Sequence, residues 1–168
     1  REFADLCGVN YAVATSSGTG AIHVALGAAG VSVGDEVITS PITDMGTLIG
    51  ILYQNAVPVF ADLEPYSYNM SPEAVAACVT DRTKAILVVH LAGNPADMDP
   101  IMEIARTHGL TVIEDCAQSA LARYRGRYVG TIGDFGAFST NDYKHISTGD
   151  GGVVLVNGDE ATFHRTHM

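Results

Sequence analysis

The sequence contains no tryptophan, only two lysines and only three cysteines, and it has no apolar run that approaches the thickness of a bilayer. Each scarcity excludes something. Cys7, Cys78 and Cys116 are odd in number and form no C-x-x-C pair, so neither a disulfide framework nor a zinc site is expected, and a reducing cytoplasm suits the chain. A membrane-spanning helix needs roughly 18 or more consecutive apolar residues. None is present, so the chain reads as soluble. Positive charge is scarce as well: 9 Lys and Arg face 19 Asp and Glu, a formal net charge of −10. That balance argues against a general nucleic-acid binder and against a protein drawn to anionic membranes. Any phosphate must be held locally.

What the chain does have is apolar content, at 47% of 168 residues, enough for one α/β domain with a sizeable core. It opens at Arg1 without a methionine and ends in Thr162-Phe-His-Arg-Thr-His-Met168, which shows no cap or closing strand. The expectation is a fragment, incomplete at both ends. Between these ends strand and helix signals alternate. Tyr11 to Thr15 reads as a buried strand, followed by the glycine turn Ser16-Ser-Gly-Thr-Gly20 and an apolar helix. Glu36 to Thr39 and Val57 to Ala61 are further strands, the second held to a sheet edge or a strand start by Pro58, which lacks a backbone donor. Ser71-Pro72-Glu73 opens a helix, Ala85 to Val89 is the unbroken apolar run of a strand covered on both faces, and Asp97, Asp99 and Pro100 lead into a helix that Gly109 stops. Leu110 to Ile113 resumes a strand. Such alternation predicts a three-layer α/β sandwich with a mainly parallel sheet. Ligands gather at the carboxyl ends of such strands, which would bring residues 16–20, 90–94, 115–119 and 139–144 to one crevice.

Three of those stretches carry chemistry. Lys144 follows the apolar run Phe135-Gly-Ala-Phe138 and precedes Thr148-Gly-Asp-Gly-Gly152, whose glycines permit tight turns, so it reads as an amine held at a strand end. The other lysine, Lys84, sits in the charged run Asp81-Arg-Thr-Lys84 and reads as ordinary surface. A helix starting after Ser16 to Gly20 would aim free amides and its positive dipole end at an anion; the plainer reading is a Ser/Thr cap with turn glycines. Glu114-Asp115-Cys116-Ala117-Gln118 puts a carboxylate at the ligand edge, where it can keep a ring nitrogen protonated, or else it is a solvated turn. Together, a lysine, an acid and two hydroxyl-rich patches are what pyridoxal 5'-phosphate requires: a Schiff-base amine, a partner for the pyridine nitrogen and a phosphate cradle.

At this point the sequence resembles a family. Ser17-Gly-Thr-Gly-Ala-Ile-His, Gly34-Asp-Glu-Val-Ile, His90-Leu-Ala-Gly-Asn-Pro-Ala-Asp97, Glu114-Asp-Cys-Ala-Gln118 and Phe138-Ser139 with Lys144 and Thr148-Gly-Asp-Gly-Gly152 are similar, in order and spacing, to the motifs of the DegT/DnrJ/StrS aminotransferases. The resemblance runs from about residue 10 to residue 157 and implies the large domain, in part, of a fold type I transferase dependent on pyridoxal phosphate. Residues 1–168 would form that domain. It further implies that Lys144 is the catalytic Schiff-base lysine, Asp115 the partner of the pyridine nitrogen and Gln118 a contact of the ring hydroxyl. Gly18, Thr19, Gly20 and Ser139 would hold the phosphate, and Ala117 would lie against one ring face. The implied reaction is transamination of a keto sugar, usually nucleotide-linked, with an amino-acid donor such as glutamate, in a homodimer with a shared active site and a C-terminal subdomain beyond this chain.

Relatives that aminate cyclitols or make aromatic amines are the alternative, as is a non-catalytic or regulatory member or an inactive fragment unable to complete a site. One departure is Asp44, which stands where family members often place an aromatic residue on the second ring face; it reads equally as a cap for a helix at Met45. Members that dehydrate replace the lysine with histidine, and this chain keeps lysine with His145 beside it. The other histidines, His23, His90, His108, His164 and His167, show no metal-ligand spacing and read as packing or surface residues. A plain dinucleotide-binding domain is disfavoured because the first glycine turn lacks G-x-G-x-x-G.

Overall fold

The computed structural model describes residues 1–167. In chain order the elements are α1 (Glu2–Cys7), β1 (Tyr11–Thr15), α2 (Gly18–Ala28), β2 (Glu36–Thr39), α3 (Met45–Tyr53), β3 (Val57–Phe60), α4 (Pro72–Cys78), β4 (Thr83–Val89), a 3-10 turn (Leu91–Gly93), α5 (Met98–His108), β5 (Thr111–Asp115), a hairpin of β6 (Arg123–Tyr124) and β7 (Arg127–Tyr128), then β8 (Phe135–Ser139), β9 (Gly152–Val156) and α6 (Glu160–Arg165). Seven strands form one sheet in the order β1-β9-β8-β5-β4-β2-β3. The five from β3 to β8 run parallel, and β9 runs antiparallel to both β8 and β1.

The two-residue period of the central strands sorts their side chains into two cores. Val37, Leu87, Ile113 and Phe135 face α2 and α3, against Ile22, Leu26 and Ile51. Ile38, Ile86, Val88 and Val112 face the other way, against Val75 of α4 and Ile101 and Ala105 of α5. Helices thus cover both faces, as the unbroken apolar run of β4 requires. A smaller cluster beneath β8 and β9 gathers Cys7, Cys116, Val129, Phe138 and Leu155.

Several boundaries follow local chemistry. Ser71 caps α4 by accepting from the Ala74 amide with Pro72 at the first turn, and Gly109 ends α5 at φ 65°, in the left-handed region. Pro58 lies on β3, at the sheet edge. Other expectations are corrected. β1 is an edge strand with half-buried residues rather than a buried one, since β9 is its only partner. A short helix not expected from the sequence, α6, forms near the end of the chain: Asp159, ahead of the terminal stretch, accepts from the Thr162 amide and starts it, while Met168 lies outside the described residues. The β6–β7 hairpin, turning through Arg125 and Gly126 at φ 47° and 84°, had no alternating apolar pattern to announce it.

Because sides alternate, consecutive acids at the end of β5 point to opposite faces. Glu114 is fully buried toward the α5 side and accepts four hydrogen bonds: from the amides of Gly130, Ile132 and Gly133, each at 2.8 Å, and from His90 Nε2 at 2.9 Å. His90 Nδ1 accepts from the Ala96 amide at 3.1 Å, which fixes the hydrogen on Nε2. Removing the carboxylate orphans three buried amides and an imidazole. Glu114→Ala is therefore expected to destabilise the protein by about 3–5 kcal/mol, read as a lower urea midpoint. A loss below about 1 kcal/mol, the scale of an exposed contact, would contradict this role.

Candidate active site

Four chain segments converge at the carboxyl edge of the parallel strands around a cleft of about 450 Å³. The first is the start of α2. Ser17 caps the helix by accepting from the Gly20 amide at 3.0 Å, leaving the Gly18 and Thr19 amides without an intrahelical acceptor and aimed out of the helix end. Gly18 and Thr19 line the cleft; Gly20 does not, and its N–H is already donated to the cap. A Cβ on Gly18 would lie 2.7 Å from the Ser139 Cβ. Only glycine lets the end of β8 touch the helix terminus, which puts the Ser139 hydroxyl beside the two free amides. The same crowding recurs at Gly152, where a Cβ would fall 2.3 Å from the Ser17 carbonyl oxygen.

The second segment is the end of β5. Asp115 points to the α2–α3 side and is 5% exposed. Its Oδ1 accepts from the Ala117 amide at 3.0 Å and its Oδ2 from Thr47 Oγ1 at 2.7 Å. Burial pushes its carboxyl above the ordinary carboxylate range, while the Ala117 amide, the Thr47 hydroxyl and the charge of Lys144 pull it back down. Gln118 accepts the Ala92 amide on Oε1 at 2.9 Å, and both Ala117 and Gln118 line the cleft.

The third is the loop after β8. Lys144 is half-buried and lies five residues past Ser139, in a loop rather than at the strand end itself. Its amide donates to the Asn141 carbonyl at 2.9 Å, and the loop is closed on itself by Thr140 to Gly151 and Thr148 to Thr140 backbone bonds, both 2.9 Å. The fourth is the start of α3, where Asp44 caps the helix by accepting from the Gly46 amide at 2.8 Å and also lines the cleft.

The structure thus brings Gly18, Thr19, Asp115, Ala117, Gln118, Ser139 and Lys144 to one cleft. Sequence reasoning gave no role to Thr43, Thr47, Asn141, Tyr143 or Asp150, which also line it. The available signal for two of them was the four-residue spacing of Thr43 and Thr47 across a helix start. His90, Glu114 and Cys116 approach one another within 4.8 Å, but the four donors on Glu114 occupy the lone pairs a metal ion would need. Among the described residues no helix is long and apolar enough to cross a membrane.

An amine, a buried acid and a helix terminus with two free amides thus meet at the carboxyl ends of parallel strands, the place where α/β proteins bind ligands. Residues 1–167 match the profile of the DegT/DnrJ/EryC1/StrS aminotransferase family, and the chain belongs to that family. GDP-perosamine synthase of Caulobacter vibrioides is 45% identical over 160 residues, 95% of this chain and 43% of that protein. L-glutamine:2-deoxy-scyllo-inosose aminotransferase of Streptomyces fradiae is 43% identical over 168 residues, 100% of this chain and 40% of that protein. The crystal structure of an aminotransferase from Psychrobacter cryohalolentis superposes with a TM-score of 0.95 at 46% identity, covering 99% of this chain and 42% of that one. The chain therefore spans about two fifths of the length of these relatives.

A raised carboxyl has a stability consequence. Folding favours the protonated form of Asp115, so its contribution is most favourable below the ordinary carboxylate range and is lost as pH rises through its raised value. Asp115→Asn keeps the shape and carries no charge. Without cofactor, the variant should gain thermal stability relative to the parent as pH rises from the acid range to neutrality. A stability difference independent of pH would contradict the burial of a charge here.

Proposed function

We propose that this chain is the cofactor-binding large domain of an aminotransferase that uses pyridoxal 5'-phosphate. The observation that carries the reading is the Asp115 carboxylate: it is buried, held by two donors, and borders a cleft that also contains Lys144 and the free amides of α2. The donor set suits the cofactor. Gly18, Thr19 and Ser139 would hold its phosphate on a helix terminus, Asp115 its pyridine nitrogen, Gln118 its ring hydroxyl and Lys144 its aldehyde. Ala117 offers a small surface for a ring to pack against. When bound, pyridoxal phosphate supplies an electron sink that lets a C–H bond beside a nitrogen break.

The chain's own residues then have separate tasks. Lys144 Nζ would take up and return the proton at the substrate's alpha carbon. Asp115 keeps a proton on the ring nitrogen by charge pairing. An amino acid, glutamate or glutamine, gives up its amino group, and a cyclic carbonyl substrate receives it. The leading acceptor is a keto sugar, and nucleotide-linked sugars are the usual form in this family. Ile42, Met45 and Tyr143, 44%, 56% and 95% exposed, flank or line the cleft and offer apolar surface for a second copy that shares the site.

A second reading, a ketocyclitol acceptor, is favoured by the charges of the cleft. Lys144 is the only Lys or Arg lining it, against Asp44, Asp115 and Asp150. Once the α2 terminus holds the cofactor phosphate and Lys144 its aldehyde, the charged side chains left to face a diphosphate are acids.

The test uses the full-length protein with pyridoxal phosphate. A visible absorption band is expected in the parent and lost in Lys144→Ala, with glutamate or glutamine converting the parent to the amine form of the cofactor. Turnover in the variant should fall by roughly 10²–10⁴-fold. No band in the parent would overturn the cofactor, and a band without conversion would indicate a non-catalytic binder. Asp44→Asn separates the acceptors, because asparagine caps a helix as well as aspartate. Under the cyclitol reading it lowers discrimination against GDP-linked keto sugars relative to scyllo-inosose several-fold; an unchanged ratio would leave the keto-sugar reading standing.

A further inference from the structure

Asp115 does not stand alone on the α3 side. Thr47 is 1% exposed, and its hydroxyl lies 2.7 Å from Asp115 Oδ2 and 2.6 Å from the Thr43 hydroxyl, which borders the cleft. A hydroxyl has one hydrogen to give. While Asp115 is ionised it claims the Thr47 hydrogen, so Thr43 must donate to Thr47 and the two hydroxyls point in file toward the carboxylate. Thr47 also occupies the third position of α3, so the positive end of that helix lies beside the same oxygen.

We infer that Thr47, oriented by Thr43, is a positioning residue that keeps Asp115 an ionised acceptor, with its remaining lone pairs turned toward the cleft. The assignment rests on the reading of Asp115 as the acid for a ring nitrogen. Its chemistry is that of a divided proton. A buried carboxylate with too few donors takes the ring's proton for itself, and a proton on Asp115 cannot also serve as charge on the ring. With the Ala117 amide on Oδ1 and Thr47 on Oδ2, both carboxylate oxygens are tied and neither rotates away. The titratable groups around Asp115 are Lys144 from the loop beyond β8, His90 from the end of β4, whose Nδ1 accepts from the Ala96 amide, and Glu114 and Cys116 beside it on its own strand and turn. Thr47 is the only side-chain hydroxyl bonded to it among the described residues.

The test compares Thr47→Val, which keeps the shape and removes the hydroxyl, with Thr47→Ser, which restores it. In the cofactor-free full-length protein, the Asp115 carboxyl is followed by infrared difference spectroscopy with Asp115→Asn as the blank. Proton binding should tighten about tenfold in the valine variant, the loss of one charge-assisted hydrogen bond, and return in the serine variant. Thr43→Val should move it in the same direction by less. With ¹⁵N-labelled pyridoxal phosphate bound, the ring-nitrogen resonance should shift toward the unprotonated position in Thr47→Val and recover in Thr47→Ser. A valine variant that is less stable yet leaves both the carboxyl titration and the resonance unmoved would overturn the inference, as would a serine variant that fails to rescue them. If the valine variant does not fold, the Thr43→Val and Thr47→Ser pair decides by the same two readouts. Failure of the parent to bind the cofactor would refute the proposed function while leaving the carboxyl titration as a test of Thr47 itself.

Discussion

The arrangement depends on a carboxylate that faces away from the cleft. Glu114 sits at the end of the central strand β5 and is bonded to three amides of the 130–133 turn and to His90. Those bonds fix where the chain goes after β5 and where β8 begins. His90 in turn donates its backbone amide to the Asp115 carbonyl at 3.2 Å and accepts the Ser119 hydroxyl on its own carbonyl at 2.5 Å. The buried side of the sheet thereby locks the frame in which Asp115, Ala117 and Gln118 are presented on the other side. A fully satisfied buried network of this kind is rigid because every member loses heavily on leaving it.

Electrostatics explains why an anion in this cleft would be met mainly by backbone. A chain of net charge −10 with a single lining lysine has little side-chain charge to give a phosphate. The helix starts at α2 and α3 both open on the cleft, each capped by its own side chain, Ser17 or Asp44, and each adding the positive end of its dipole. Those two termini also offset part of the cost of burying Asp115. The acid remains above its ordinary range, so the site retains a tendency to hold a proton there, and the hydrogen bonds from Ala117 and Thr47 oppose that tendency.

Much of this was legible in the sequence, and for identifiable reasons. Asp115, Gly18 and Ser139 sit where strands end and glycines turn, strand-helix alternation placed those ends together, and Lys144 follows in the loop just beyond one of them. The runs Ala85 to Val89 and Ile101 to Gly109 announced themselves by apolar content and period. What escaped has physical causes too. Tyr11 to Thr15 is apolar like a central strand, yet it borders only β9, and edge position is a property of the assembled sheet. Short elements such as α1, α6 and the β6–β7 hairpin are too brief to show a period. Glu114 and Asp115 are adjacent acids in sequence, and only the pleat reveals that one is bonded into the far side of the sheet and the other faces the cleft. Thr47 is one threonine among several, and its contact with Asp115 spans 68 residues of chain.

The proposed function stands or falls with Lys144, in the loop beyond β8, as the residue to which the cofactor attaches. Its most direct test is to incubate the full-length protein with pyridoxal phosphate, reduce with borohydride, digest, and map the pyridoxyl group by mass spectrometry. Lys144 and Lys84 are the only lysines of this chain, so within it the outcome is a choice between two peptides. The label is expected on the peptide that contains Lys144; a label on Lys84, on a lysine elsewhere in the full-length protein, or on none would overturn the proposed attachment.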